Sequence, residues 1–252
     1  MSGHSKWSSI KHKKANTDAK RGQLFTKICK EITIAARGGG DPAINSSLRL
    51  VIQRARDANV PNKNIDRAIE RATGGGDADQ LEEMSYEGYG PGGTAVLIDV
   101  VTDNKNRTVA DLRLAFSRGG GSLAENGTVA WQFELRGVAN VAANGRDIDE
   151  IQLTAIEAGA IDVDVSEDGT AVEIYSEPSE LESVRAALTA SGVEVEKAEV
   201  AKVPKNTVEL DEKAALATLK LLERLDDLDD VSRVYSNAEF PEAVLEAAAE
   251  GA

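Results

Sequence analysis

The sequence predicts an α+β protein, with an N-terminal three-helix domain followed by two ferredoxin-like α+β domains, one inserted in the other. Three observations predict it. Up to residue 76 the apolar residues recur at spacings of three and four, and glycine triplets punctuate them. From Thr94 onward, β-branched runs alternate with amphipathic helical stretches. The order β-α-β-β-α-β then appears once complete and once with its last two elements displaced downstream. At 41% hydrophobic residues the 252-residue chain can fill packed cores, and at 4% aromatic those cores must be aliphatic.

The first helix runs from Lys20 to Arg37. Leu24, Phe25, Ile28, Ile32, Ala35 and Ala36 form its apolar face, with Lys20, Lys27, Lys30 and Arg37 opposite. Gly38-Gly39-Gly40 ends it, and Asp41-Pro42 reads as an N-cap and first helical position for the next. That second helix carries Leu48, Val51, Ile52, Ala55 and Ala58. A short third helix carries Ile65, Ala68, Ile69 and Ala72 and stops at Gly74. TAVLIDVV (94–101) is a buried strand, and RTVADLRLAFSR (107–118) is a helix. SLAENGTVAWQFEL (122–135) reads as two strands around Asn126-Gly127, a type I′ hairpin signal.

GVANVA (137–142), a helix over 148–159, a hairpin around Asp168-Gly169, a helix over 180–192 and a strand over 193–203 complete the second round. A helix at 211–227 and a strand at 230–237 supply what the first round lacks. The expected division is therefore 1–76, a basic helical domain; 77–135 plus 206–240, a discontinuous α+β domain; and 136–205, the insert. The Ala- and Glu-rich end, 241–252, is an acidic tail expected to fray.

Charge divides the chain as sharply as periodicity does. Residues 1–76 hold 15 Lys and Arg against 6 Asp and Glu, a net of +9; residues 77–252 hold 14 against 37, a net of −23. A basic head on an acidic body suits polyanion binding, with the body suppressing nonspecific adhesion. A lesser alternative, compatible with the first, is that the head docks on its own acidic body. No apolar run follows the first residues, none approaches the ~20 residues of a membrane span, and Cys29 is the one cysteine. The expectation is a cytoplasmic protein without disulfides or membrane association.

Catalytic chemistry is poorly provided for, and neither catalytic residues, nor a metal site, nor a cofactor is expected. Gly88 to Gly93 matches G-x-G-x-x-G, but a strand follows where a helix must begin, so a shaped turn is the expectation. Both histidines, His4 and His12, lie in the basic arm, and Cys29 belongs beside an apolar helix face. The arm is the informative feature. Lys6, Lys11, Lys13 and Lys14 offer phosphate contacts, Trp7 can stack on an unpaired base, and His12 sits among lysines that discourage its protonation. Lys20, Arg21, Lys27 and Lys30 extend this surface along the first helix. Asn64, Arg67 and Arg71 share the polar side of the third helix, as in a helix-turn-helix; interleaved Asp66 and Glu70 could pair with them and mute it, leaving a plain helical hairpin.

GHSKWSSIKHKK, DAKRGQLFTKI, GGGDP, EGYGPGG, DNKNRT and GTVAWQF together resemble the YebC/PmpR family, over residues 1 to about 237. The resemblance implies a cytoplasmic protein of one helical and two α+β domains, a probable DNA-binding transcriptional regulator. Mitochondrial relatives are translational activators, and some bacterial members act on stalled ribosomes, so ribosomal RNA is the alternative target. The matching positions include the arm lysines, Trp7, Lys20, Arg21, and Asn104 to Arg107, which adds Lys105 and Arg107 to the candidate nucleic-acid residues. A protein-interaction module working through the acidic domains is a third class.

Overall fold

A computed structural model describes residues 18–74, 81–166, 168–241, 243–245 and 247. Lys6, Trp7, Lys11, His12, Lys13 and Lys14 lie outside the described residues. Three helices build the head: α1 (Asp18–Ala36), α2 (Ser46–Asp57) and α3 (Asn62–Thr73). Their apolar stripes close on Ile28, Ile32, Leu48, Ile52, Ala55, Ile65 and Ala68, the residues the helical spacing singles out. The expected cap of α2 moves. Asn45, not Asp41, accepts the Leu48 N–H at 3.0 Å. Its amide also donates to the carbonyls of Ala35 and Gly39, a double role that a carboxylate cannot fill.

The first sheet has the order β3-β1-β2-β9 and is antiparallel throughout: β1 (Glu82–Tyr89), β2 (Ala95–Thr102), β3 (Ser122–Ala124) and β9 (Val231–Ser236). Helices α4 (Lys105–Arg118) and α7 (Glu212–Asp226) cover one face. Val96, Ile98 and Val100 of β2 meet Leu112, Phe116, Leu219 and Leu222 there. Strand β1 escapes the sequence pattern because EEMSYEGY has no β-branched run. The glycine-rich stretch after it is a turn, as expected: Pro91–Gly93 forms one 3₁₀ turn between β1 and β2, with Gly92 at φ 73°.

The expected hairpin at Asn126-Gly127 does not form. Strand β3 pairs with β1, and the chain passes through a 3₁₀ turn at Ala130–Gln132 into β4 (Phe133–Ala142), a central strand of the second sheet. The cause is Glu87. Its buried carboxylate takes the N–H groups of Gly127, Val129 and Ala130 at 2.6–2.8 Å and wraps the loop over β1. Burial by itself raises the Glu87 pKa, but these N–H groups outweigh it and hold the carboxylate below its usual range.

The second sheet, β5-β6-β4-β7, contains β5 (Ala160–Val165), β6 (Ala171–Ser176) and β7 (Glu194–Pro204), with α5 (Ile148–Glu157) and α6 (Leu181–Ala190) on one face. Strands β5 and β6 make the hairpin that Asp168-Gly169 signals. The chain then returns through β8 (Val208–Glu209) to α7 and β9 and pairs β10 (Ala238–Glu239) alongside β8. The other faces of the two sheets pack together through Leu97, Val138, Tyr175, Ala201 and Tyr235. Where the sequence leads one to expect a fraying tail, Phe240, Val244 and Leu245 are buried in the first core.

Candidate nucleic-acid interface

The basic face of α1 does not open fully to solvent. It lies on the acidic connection between α7 and β9, residues 226–230. Lys27 is buried and donates its ammonium to the carbonyl of Asp226 in the last turn of α7, where helix carbonyls lack an intrahelical donor. Lys30 reaches Asp230 at 3.0 Å and the carbonyl of Asp229 at 3.2 Å. Lys20 stands 3.9 Å from Asp227. Gln23 donates to the Asp227 carbonyl and to Asp229. Docking of the head on its own body, an alternative already open from the charge pattern, therefore accounts for Lys27 and much of Lys30.

Asp230 is the node of this contact. Its buried carboxylate also accepts from Arg107 at 2.8 Å, Thr108 at 2.9 Å and Thr102 at 3.1 Å. Burial works to raise its pKa, but the hydrogen bonds from Arg107, Lys30 and Thr108 prevail and lower it. Arg107 is placed by Asn104, which caps α4 by accepting the Arg107 N–H, and it is raised in pKa by hydrogen bonds from its guanidinium to Asp230 and Asp103. Lys105 points elsewhere and pairs with Glu82 at 2.6 Å on the surface.

Between head and body lies a cleft of about 1300 Å³. It brings together Lys20, Lys30, Asn64, Arg67, Arg71 and Arg107, which are scattered over 88 positions of sequence. Lys27 and Lys105 do not line it. Arg21 is exposed on the first turns of α1. Arg67 and Arg71 are exposed on one side of α3 and form no ion pair among the described residues. Asp66 and Glu70 therefore do not neutralise them there. The opposite wall carries Asp103, Asp111, Asp227 and Asp229. Cys29 packs against the head core, and burial pushes its thiol pKa up, away from thiolate chemistry.

A second polar centre went unseen in the sequence. Arg233 of β9 donates to the carbonyl of Val200 at 2.6 Å, stands 3.5 Å from Glu199 of β7 and 3.9 Å from Glu31 of α1. Glu31 also holds Arg54 of α2, and Lys202 bridges from β7 to Asp99 of β2 at 2.6 Å. These residues surround a cavity of about 520 Å³ where head and both sheets meet. Burial would raise the Glu199 pKa, but Lys197, Arg233 and Arg54 hold it far down; burial and the neighbouring Asp99 and Glu31 push Glu83 up. The one signal in the sequence was a charge inside an apolar strand, Asp99 in TAVLIDVV and Arg233 in VSRVY. Among the described residues no group of three or more His, Cys, Asp or Glu is placed to hold a metal, and no helix is long and apolar enough to cross a membrane.

A three-helix head is set on two joined α+β sheets, with Arg67 and Arg71 at the cleft between head and body; this fold and site define the class of protein. The family comparison makes the assignment specific. The TACO1/YebC N-terminal domain matches residues 5–75, and the TACO1/YebC second and third domain matches residues 81–238. The chain belongs to the TACO1/YebC family. It is 53% identical over 249 residues to a probable transcriptional regulatory protein of Moorella thermoacetica, and 52% identical over 247 residues to one of Dehalococcoides mccartyi strain CBDB1, covering 98% of both chains in each case. The crystal structure of the conserved hypothetical protein Aq1575 from Aquifex aeolicus superposes with a TM-score of 0.81 at 44% identity, covering 92% of this chain and 96% of that one.

Proposed function

We propose that this protein is a non-enzymatic, cytoplasmic regulator of gene expression that binds nucleic acid through its head, as a DNA-binding transcriptional regulator. The observation that carries this reading is the pair Arg67 and Arg71, exposed at the cleft and without ion pairs among the described residues. Guanidinium groups so placed are phosphate ligands in waiting. The relatives named probable transcriptional regulatory proteins support the regulatory role. The Lys-rich arm, continuous in sequence with α1, adds the remaining charge.

One observation favours the alternative of ribosomal RNA. The basic residues share a concave cleft, and a concave surface with cationic side chains accommodates an unpaired strand. Co-sedimentation with ribosomes across a salt series, alongside shift assays on random duplex DNA, separates the two. Sequence-discriminating duplex binding without ribosome association supports the transcriptional role. Stoichiometric ribosome binding with weak, salt-fragile DNA binding replaces it with a translational one. In either case, Arg67→Ala with Arg71→Ala lowers affinity and flattens the log–log salt slope by roughly 0.7–0.9 per lost contact. An unchanged slope removes α3 from the interface.

A further inference from the structure

The acids between α7 and β9 stand where local physics disfavours them. Asp226 and Asp227 close α7 at the negative end of its dipole, where Lys or Arg is the stabilising choice. What favours carboxylates there is the basic face of α1 opposite.

The contacts fall into two tiers. The inner tier is shielded: Lys27 and Asp230 are each 7% exposed, and Asp230 is bonded at once to Lys30, Arg107 and Thr108. The outer tier is wet. The side chains of Lys20 and Asp227 are 51% and 58% exposed at a separation of 3.9 Å, and Gln23 reaches exposed Asp229 at 2.9 Å. Exposed pairs of this kind are weak and screened by salt, so the outer tier can open while the inner one holds.

We propose that Asp227 and Asp229 act as an internal phosphate surrogate, occupying the mouth of the cleft and competing with nucleic-acid phosphates for Lys20 and Gln23. Asp230 is the hinge that stays closed. The proposal rests on the head being the nucleic-acid surface. A strand lying along Arg67 and Arg71 meets carboxylates on the body wall, and its phosphates compete with the outer two for Lys20. The surrogate thus rejects polyanions that engage the cleft at one point and admits those that engage it at several.

The test compares the full-length protein, Asp227→Asn with Asp229→Asn, and a control, Glu150→Gln with Glu157→Gln, which removes the same charge from the exposed side of α5. The probe is a labelled random single-stranded RNA of about 20 nucleotides, with a random duplex DNA of equal length. The surrogate predicts an affinity gain of about three- to tenfold for the first variant and less than about twofold for the control. It also predicts faster amide exchange at 227–229 when the unaltered protein binds probe, with protection kept around Asp230. An equal gain in both variants, no gain, or unchanged exchange overturns the surrogate while leaving the head as the binding surface. Failure of all three proteins to bind either probe overturns the nucleic-acid reading itself.

Discussion

The Lys30 ammonium lies 3.0 Å from the Asp230 carboxylate, joining residues 200 positions apart and fixing the helical head to the first sheet. Because Asp230 simultaneously receives Arg107, Thr102 and Thr108, one carboxylate satisfies donors from three elements.

Asp230→Ala is expected to cost about 3 kcal/mol in urea unfolding, because it strands buried donors. Acid should act in the same direction. The folded pKa of Asp230 is depressed, so its contribution is fully present above the unfolded carboxylate value, about 3.9. It is lost as pH falls from there through the lower folded value. Asp230→Ala should therefore show a shallower loss of stability below about pH 4 than the unaltered protein.

Glu87 shapes the path into the second sheet, so Glu87→Ala is expected to destabilise by about 2–3 kcal/mol as three buried or half-buried N–H groups lose their acceptor. Trp131 sits on the same turn, and its indole donates to Thr128 at 3.0 Å. With Trp7→Phe as background it is the one remaining tryptophan of two. Its fluorescence should then become more mobile and more quenchable in Glu87→Ala. Unchanged anisotropy would show that the turn holds without the carboxylate.

Gly88 admits Phe116 against β1. A Cβ at this position meets Phe116 Cζ at 2.4 Å and the Ser122 carbonyl oxygen at 2.7 Å. Gly88→Ala is expected to cost about 2–3 kcal/mol through overpacking. Adding Phe116→Leu should recover part of that loss, since the leucine shortens the side chain in conflict; a purely additive double variant would argue against the contact.

Arg233 reaches head and second sheet together, so Arg233→Ala should lower stability by about 3–5 kcal/mol by leaving Glu199 short of a cation in the interior. Replacing both with Arg233→Met and Glu199→Gln should be milder than the single change. Thermal unfolding of the unaltered protein, Arg233→Met, Glu199→Gln and the double variant completes a cycle, and a double variant as unstable as the sum of those two singles would dissolve the pairing.

Where a segment's partners are local, the sequence predicted its structure. The stripe Ile28, Ile32 and Ala36 defines one helix face wherever that helix docks. The apolar run at 95–102 is a strand buried on both faces. Where partners are remote, local signals misled. Asn126-Gly127 carries a hairpin signal, yet Glu87, about forty residues away, supplies the N–H acceptors that redirect the chain. EEMSYEGY has no strand run of its own and becomes β1 because β2 and β3 offer it edges on both sides.

The candidate surface divides the same way. The sequence alone determined that the head is basic and the body acidic, because formal charge needs no coordinates. Only the tertiary structure decided which charges remain available. It turns Lys27 into a cap for the end of α7 and ties Lys30 and Arg107 to Asp230, while Arg67 and Arg71 stay at the cleft. The physical reason is that Coulomb attraction and burial depend on distance in space, and residues 200 positions apart become neighbours only when the chain returns on itself.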